Sequence, residues 1–559
     1  MDIHIMIGGA AGQGMDTLAA SLGHILAAEG YGVLSTKDYM SRVRGGHNFS
    51  ILRAAAHTPW AFENRCNLLL CLDEETYSRH LDELDEDGVF VYDPKHFKSD
   101  DDRGVAVSID RLARDAGGRI MANTVALGAA LALLGLSTRR AENILLETFS
   151  HKDRVGEQNV EALLSGYESV QWTPLAIDPP DPEEQSPIFL DGNQTLGMSA
   201  AASGCRFYSA YPMTPATGIM TYLASLRDSE VVVEQPEDEI AAINSVLGAS
   251  YAGIRAMTAT SGGGFSLMVE GLSLAGMTET PAVIVLAMRP GPATGFPTRT
   301  DQGDLSFVID AGHGEFPRVV TSATHLEDAF YRLNKAFALA DQFQIPVIFL
   351  SDQNFADTAR TIPPFDFGKL SHDRYLAREL EKPYARYRLA EDGISPRAIP
   401  GQFPGEVVLV DSDEHDERGF IVEDASTRRA MMRKRMSKSA RLAEAMDEPT
   451  YIGPDDPDLL LIGWGSTYGA LREARQRLEG QDSSVGHLHF TDLWPLPTQR
   501  LEEMVQRASM SICVEANYTA QLADLVRRET GLQFDHSILR YDGRPFTPQD
   551  IQEEVAQYV

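Results

Sequence analysis

Apolar residues along this chain change period from block to block. Residues 3–7 (IHIMI) are a short continuous apolar run, a glycine turn follows at 8–14, and apolar positions then recur at helical spacing over 15–29. The chain opens as strand, glycine loop and helix. Strand-like runs at 49–53, 67–72 and 89–92 and a helix-like run at 121–135 complete a predicted α/β domain over 1–175. The stretch LAIDPPDPEEQSP combines four prolines with acidic residues and has no period, so 176–187 reads as a linker. From 188 to 365, strand-like YSAYP, VVVEQ, RAMTATS, AVIVLAM and PVIFLS alternate with helical stretches at 237–253, 266–277 and 326–342. Such alternation predicts a parallel sheet covered by helices. Residues 366–450 are polar and end in the basic helix-like RRAMMRKRMSKSARL, which reads as a connector wrapped over a neighbour. LLLIGWGS, GHLHF and SICVEAN predict a third α/β domain over 451–559. The expected fold is three α/β domains with mostly parallel sheets.

A length of 559 residues is too great for one core, in keeping with these divisions. Lys and Arg total 49 against 81 Asp and Glu, a formal charge of −32, which repels nucleic-acid backbones and anionic membranes. No nucleic-acid or membrane partner is expected. The four cysteines, Cys66, Cys71, Cys205 and Cys513, form no CxxC, so the chain holds no iron–sulfur cluster of its own and no metal site is assigned to it. The start lacks a basic segment leading into an apolar run, and no apolar stretch reaches the ~20 residues that span a bilayer. A cytoplasmic location is expected.

Five stretches carry candidate chemistry. Gly8–Gly14 follows the first strand and turns backbone N–H groups and a helix start toward an anion. It fits GxGxxG only with Ala11 in the second place, and Ser35 and Thr36 stand where a ribose-binding acid belongs, so a plain βα turn competes with a nucleotide site. In Ser41–Phe49, Arg42 and Arg44 lead into Gly45-Gly46-His47-Asn48, a flexible basic loop suited to a phosphate or carboxylate. Tyr211-Pro212-Met213-Thr214-Pro215 ends a strand where open α/β sheets bind ligands, and it reads equally as a helix start with Thr214 as N-cap. Glu237, Asp238 and Glu239 open a helix. Helix-dipole complementarity accounts for the first two, whereas Glu239 stands beside the apolar face of Ile240, Ile243 and Leu247 and is a candidate proton-exchanging acid. Last, 258–304 contains Ser261-Gly262-Gly263-Gly264, then Arg289 at a strand end, then a Pro/Gly loop with Arg299. One of these arginines would grip a carboxylate as a fork.

These stretches resemble the 2-oxoacid:ferredoxin oxidoreductases, specifically an alpha subunit with the gamma domain fused ahead of it. The resemblance rests on Ser203–Pro215, Glu237–Asn244, Thr258–Met268 and Gly291–Leu305, with the 8–14 turn and the RGGH loop at 44–47 resembling the gamma domain and 451–559 the transketolase C-terminal domain. It implies a CoA- and thiamine diphosphate-dependent oxidation of a 2-oxoacid, 2-oxoglutarate above pyruvate, branched-chain oxoacids or indolepyruvate. The implied partners are a beta subunit carrying Mg²⁺, the pyrophosphate motif and a [4Fe–4S] cluster, in a dimer of heterodimers, and ferredoxin. It further implies that Tyr211, Pro212, Met213, Glu239, Gly262 and Gly263 hold the cofactor's pyrimidine half, with the Glu239 carboxyl on N1′ and Glu237 as its substitute. Thr214, Arg289, Arg299 and His47 would bind the oxoacid, and Gly12, Gly14, Arg44, Gly45, Gly46 and Asn48 would bind coenzyme A. The residues agree in one respect: the chain lacks a GDG followed by Asn-Asn, the Mg²⁺–pyrophosphate motif of a self-sufficient thiamine enzyme. The competing readings are half of a non-oxidative thiamine enzyme, such as a split transketolase, and an NAD-binding scaffold.

Overall fold

A computed structural model describes residues 2–41, 46–150, 154–171, 175, 177–181, 188–227, 229–479 and 484–559. They form two compact units: Met1–Asp191 with Asp357–Pro364 and Thr547–Asp550, and Gly192–Ala356 with Phe365–Phe546 and Ile551–Val559.

The first unit is built on an eight-stranded sheet. Its strand order is Gly104–Ala106, Leu84–Tyr92, Cys66–Cys71, Ile3–Ala10, His47–Ala55, Gly32–Asp38, Ala359–Ile362, Ile188–Asp191. The sheet is mixed: the first four strands run parallel, and the remaining pairings are antiparallel. Helices Met15–Ala28, Ala122–Leu133 and Val155–Glu168 bury the apolar rows of Ile3, Ile5, Ile7, Leu68 and Leu70. This unit departs from the expected divisions at two points. Ile188–Asp191 lies beyond the 176–187 linker yet joins the first sheet. Ala359–Ile362, expected in the second domain, pairs with Gly32–Asp38, and the Val33 N–H donates to Thr361 Oγ1 at 2.9 Å. A short β-branched strand carries no signal for which distant edge it will complete.

The second unit holds two sheets. In the seven-stranded one the order is Asp492–Trp494, Val319–Ser322, Pro346–Asp352, Ala282–Met288, Ala256–Thr260, Phe207–Ser209, Val232–Glu234, parallel except for the first strand. YSAYP, VVVEQ, RAMTATS, AVIVLAM and PVIFLS overlap five of these strands; Val319–Ser322 is not among the expected runs, and Asp492–Trp494, expected in the third domain, pairs with it here. Ala282–Met288 is buried along its whole length, as a strand covered on both faces must be. The five-stranded sheet is Thr450–Ile452, Val485–Phe490, Leu459–Trp464, Met510–Glu515, His536–Leu539, with only the first antiparallel. Its apolar side chains share one core with the seven-stranded sheet. The basic stretch is the helix Ala425–Ala445, started by Asp424, whose carboxylate accepts from the Ser426 and Thr427 N–H groups. This helix docks through charge. Lys434 and Lys438 are buried on Glu279, at 2.5 and 2.6 Å. Burial alone would raise the Glu279 carboxyl, and Lys438 and Lys434 more than reverse that. Among the described residues no helix is long and apolar enough to cross a membrane.

Candidate active site

Four neighbouring parallel strands, Val232–Glu234, Phe207–Ser209, Ala256–Thr260 and Ala282–Met288, release their following loops at one edge of the sheet. Those loops carry Tyr211–Thr217, Glu237–Glu239, the glycine turn 261–264 and Arg289. The edge formed by strand C-termini is where open α/β sheets receive ligands.

Helix Glu239–Tyr251 is started by Asp238, whose carboxylate accepts from the Ala241 N–H at 2.7 Å. The cap fixes Glu239 at the first helical position, where it shares the inward stripe of Ala242, Ile243, Val246 and Leu247 and is 3% exposed. Ile240, expected on that stripe, is 49% exposed; the helical period puts residues i+3 and i+4 beside Glu239, not its sequence neighbour. Glu237 is exposed, which removes it as a buried acid. Oε1 of Glu239 lies 3.4 Å from Thr260 Oγ1, which itself lies 3.8 Å from the Met213 sulfur. Among the described residues no cation pairs with this carboxyl. Helix Gly262–Thr278 presses against it: a Cβ on Gly264 would stand 2.4 Å from Oε1 of Glu239 and 2.0 Å from Oγ1 of Thr260. The Ser261 hydroxyl at the start of this helix is buried without a partner.

Arg289 follows strand Ala282–Met288 and donates from Nη1 to the Thr214 carbonyl at 2.7 Å. Its Nε is buried without a partner, and burial lowers its pKa. A guanidinium has five N–H donors in a fork, so the orphaned side suits a carboxylate. Thr214 is not an N-cap, because the helix begins at Thr217 with Ala216 in the cap position. The Thr214 hydroxyl therefore has no capping duty. Tyr211, Pro212 and Met213, next to it in the loop, are half-buried; Gly262 and Arg299 are half-buried too, and Gly263 is exposed.

Two acids went unnoticed in the sequence. Asp304 packs on the glycine turn, its Oδ2 standing 2.5 Å from where a Cβ on Gly262 would be. Burial pushes Asp304 up to about 6, and burial together with the Asp304 charge pushes Asp301 up to about 7. Carboxyls three residues apart around a glycine, beside Arg299, were the available signal.

In the first unit Ala10 pairs with His47, so the glycine turn and the end of strand His47–Ala55 are neighbours. Gly12, Gly14 and Gly46 have φ of 93°, 79° and 85°, and the Asn48 side-chain Oδ1 accepts from the Met40 N–H at 3.0 Å. Asn123 Nδ2 donates to the Gln13 and Gly14 carbonyls at 3.0 and 3.1 Å, which ties the turn down. His47 is 5% exposed, with its Nε2 2.7 Å from Nε2 of His80. Burial first, then His80, lowers its pKa, so it offers a hydrogen bond and not a charge. Arg42, Arg44 and Gly45 lie outside the described residues.

The sequence is 31% identical to the 2-oxoacid:ferredoxin oxidoreductase subunit alpha of Saccharolobus solfataricus, over 100% of this chain and 98% of that one. This chain belongs to that family of alpha subunits. It is an oxidoreductase subunit. The 2-oxoglutarate oxidoreductase subunit KorA of Mycobacterium tuberculosis is 32% identical over 72% of this chain and 63% of its own length. Three family descriptions match the alpha subunit in turn. They are pyruvate ferredoxin/flavodoxin oxidoreductase over 4–169, its thiamine diphosphate-binding domain over 198–434, and pyruvate:ferredoxin oxidoreductase core domain II over 457–551. The structure superimposes on 2-oxoglutarate:ferredoxin oxidoreductase from Magnetococcus marinus, solved with 2-oxoglutarate, coenzyme A and succinyl-CoA, with a TM-score of 0.92 and 31% identity over 100% of this chain and 99% of that one. The α/β expectation holds for all three sheets.

The alpha subunit's residues fit the aminopyrimidine of thiamine diphosphate. Glu239 is a buried carboxyl with one long contact, Gly264 leaves its approach open, and the buried Ser261 hydroxyl lacks a partner.

Proposed function

We propose that this alpha subunit, joined to a beta subunit holding Mg²⁺, the cofactor's pyrophosphate and a [4Fe–4S] cluster, converts 2-oxoglutarate and coenzyme A to succinyl-CoA and CO₂. Two electrons pass to ferredoxin and one proton is released. The observation that carries this reading is the full-length likeness to the Magnetococcus marinus enzyme, which binds that substrate and that product.

The cofactor supplies the carbanion chemistry that lets a 2-oxoacid lose CO₂. Glu239 hydrogen-bonds N1′ of the aminopyrimidine and holds the proton there, its burial keeping water away from the exchange. Thr214 donates its hydroxyl to the 2-oxocarboxylate and Arg289 grips it with the unused side of its fork, positioned by the Thr214 carbonyl. Arg299 stands next to them in the sequence of loops. Tyr211, Pro212, Met213, Gly262 and Gly263 line the pyrimidine side, and the Gly12–Gly14 turn with Gly46 and Asn48 receives the coenzyme A phosphates. The complex is a dimer of heterodimers in the cytoplasm, and the reaction runs in either direction with the redox poise of ferredoxin.

The test is kcat/KM of the purified two-subunit complex for 2-oxoglutarate, pyruvate, 2-oxoisovalerate and indolepyruvate with coenzyme A and a viologen dye. The proposal requires 2-oxoglutarate to lead by at least about 10-fold, a discrimination worth about 1.4 kcal/mol. A better rate with another oxoacid, or turnover by the alpha subunit alone, would overturn it.

A further inference from the structure

The five-stranded sheet contributes none of the candidate residues, yet it grips the loop that carries several. Thr300 N–H donates to the Gly543 carbonyl, just past the sheet's strand His536–Leu539, at 3.2 Å, and its hydroxyl is tied to the other sheet, accepting at 3.2 Å from the N–H of Asn354, which follows strand Pro346–Asp352. Gln302 is fully buried, and all four of its polar atoms are bonded to the ends of two strands of the five-stranded sheet. Its N–H donates to the Ala516 carbonyl at 2.7 Å and its Nε2 to the Trp464 carbonyl at 2.8 Å. Its Oε1 accepts from the Ala516 N–H at 2.9 Å, and its carbonyl accepts from Asn517 Nδ2 at 3.2 Å.

A second layer holds these partners. The buried Glu515 carboxylate accepts from Asn517 Nδ2 at 2.9 Å, from Trp464 Nε1 at 3.2 Å, and from Leu522 and Ala523 N–H at the start of helix Gln521–Thr530. A network in which each member is bonded specifies one geometry, and the loss of one member leaves the others orphaned. The segment it fixes runs from Arg299 to Asp304, and Asp304 lies on the glycine turn beside Glu239.

We propose that Gln302 is a positioning residue for oxoacid binding: through its four bonds to Trp464, Ala516 and Asn517, the five-stranded sheet holds the Arg299–Asp304 loop against the glycine turn at 261–264. The sheet's part in the reaction is this clamp. The inference rests on the reading that the loop faces the oxoacid.

The experiment uses the assembled complex with Gln302→Met and Gln302→Glu. In Gln302→Met the KM for the oxoacid rises by about 10- to 100-fold, the range that follows when buried partners are left unpaired, while kcat and the KM for coenzyme A stay within about threefold. Hydrogen exchange at 299–305 accelerates, with no change in strand Ala256–Thr260. In Gln302→Glu the ionised carboxylate faces the Trp464 carbonyl and carries the same defect. Its protonated form restores the missing donor, so the KM recovers as the pH is lowered from 8 to 6. Asp301 and Asp304 in the same loop ionise near 7 and 6, so Gln302→Met, which adds no titrating group, is run over the same pH range, and a recovery of equal size in Gln302→Met would belong to those acids and overturn the proposal. An unchanged KM, a proportional fall in kcat with no pH recovery, or a change confined to coenzyme A would overturn the proposal. Each variant is assayed with all four oxoacids, so a different preferred substrate would refute 2-oxoglutarate and leave the clamp to be read on that substrate. Unchanged exchange at 299–305 refutes the clamp whichever oxoacid is turned over.

Discussion

Gly264→Ala places one methyl group at the centre of the candidate site. The added carbon would lie 2.4 Å from Oε1 of Glu239 and 2.0 Å from Oγ1 of Thr260, against an ordinary contact of about 3.4–4 Å. Either the carboxylate and hydroxyl withdraw by about 1–1.5 Å or helix Gly262–Thr278 shifts by a similar amount. Overpacking of this kind costs about 1–3 kcal/mol, offset in part by alanine's better helix propensity, worth about 0.8–1 kcal/mol. Stability should therefore fall by no more than about 2 kcal/mol. Displacing a catalytic carboxyl by about 1 Å costs about 100-fold in rate, so activity should fall far more than stability. Gly263→Ala serves as a stability control, because a Cβ there meets only the Ala293 carbonyl at 3.9 Å. The assays are denaturant unfolding of the alpha subunit and kcat of the complex. A Gly264→Ala enzyme with kcat within about threefold of wild type would show that Glu239 is not held where the chemistry needs it.

Three further outcomes follow from the same geometry. Arg289→Lys keeps the charge but loses the planar fork, so kcat/KM for the oxoacid should fall by about 10- to 100-fold; an unchanged value would move the carboxylate to another group. Glu279→Gln leaves Lys434 and Lys438 buried without their anion and should cost about 3–5 kcal/mol in denaturant unfolding, a loss that a value under about 1 kcal/mol would contradict. Asp301 stays protonated in the folded chain up to about 7, pushed there by burial and Asp304, and ionises near 3.8 when unfolded, so it destabilises the fold increasingly as pH rises between those values. Asp301→Asn should thus leave the melting temperature unchanged at pH 4 and raise stability at pH 8 by about 2 kcal/mol, after discounting for partial exposure; equal effects at both pH values would refute it.

Local periodicity made much of this legible. Strands Ile3–Ala10, Cys66–Cys71, Ala282–Met288 and Pro346–Asp352 are apolar runs bounded by turn residues, and the acidic start of helix Glu239–Tyr251 announces itself by the Asp238 cap. Contacts between distant stretches stayed hidden. Thr361 meets Val33 across 328 positions, Lys434 meets Glu279 across 155, and Gln302 meets Asn517 across 215. Nothing in the residues around any of them names the partner. Strand Gly32–Asp38 carries no clear signal, because GVLSTKD mixes apolar and polar residues without clean alternation. His47 was legible as a polar residue beside glycines, but its pairing with His80 depends on how helix Glu74–His80 returns to the sheet.

Glu239 is the carboxyl on which the proposed handling of the pyrimidine proton depends. In the two-subunit complex loaded with thiamine diphosphate, the measurement is exchange of the cofactor's C2 hydrogen for deuterium, by quenched-flow NMR, in wild type and Glu239→Gln. Exchange should slow by at least about 100-fold in the variant, within the range of one acid–base group, with unfolding midpoint and subunit assembly unchanged. Exchange at close to the wild-type rate in a folded, assembled Glu239→Gln complex would contradict that role of Glu239.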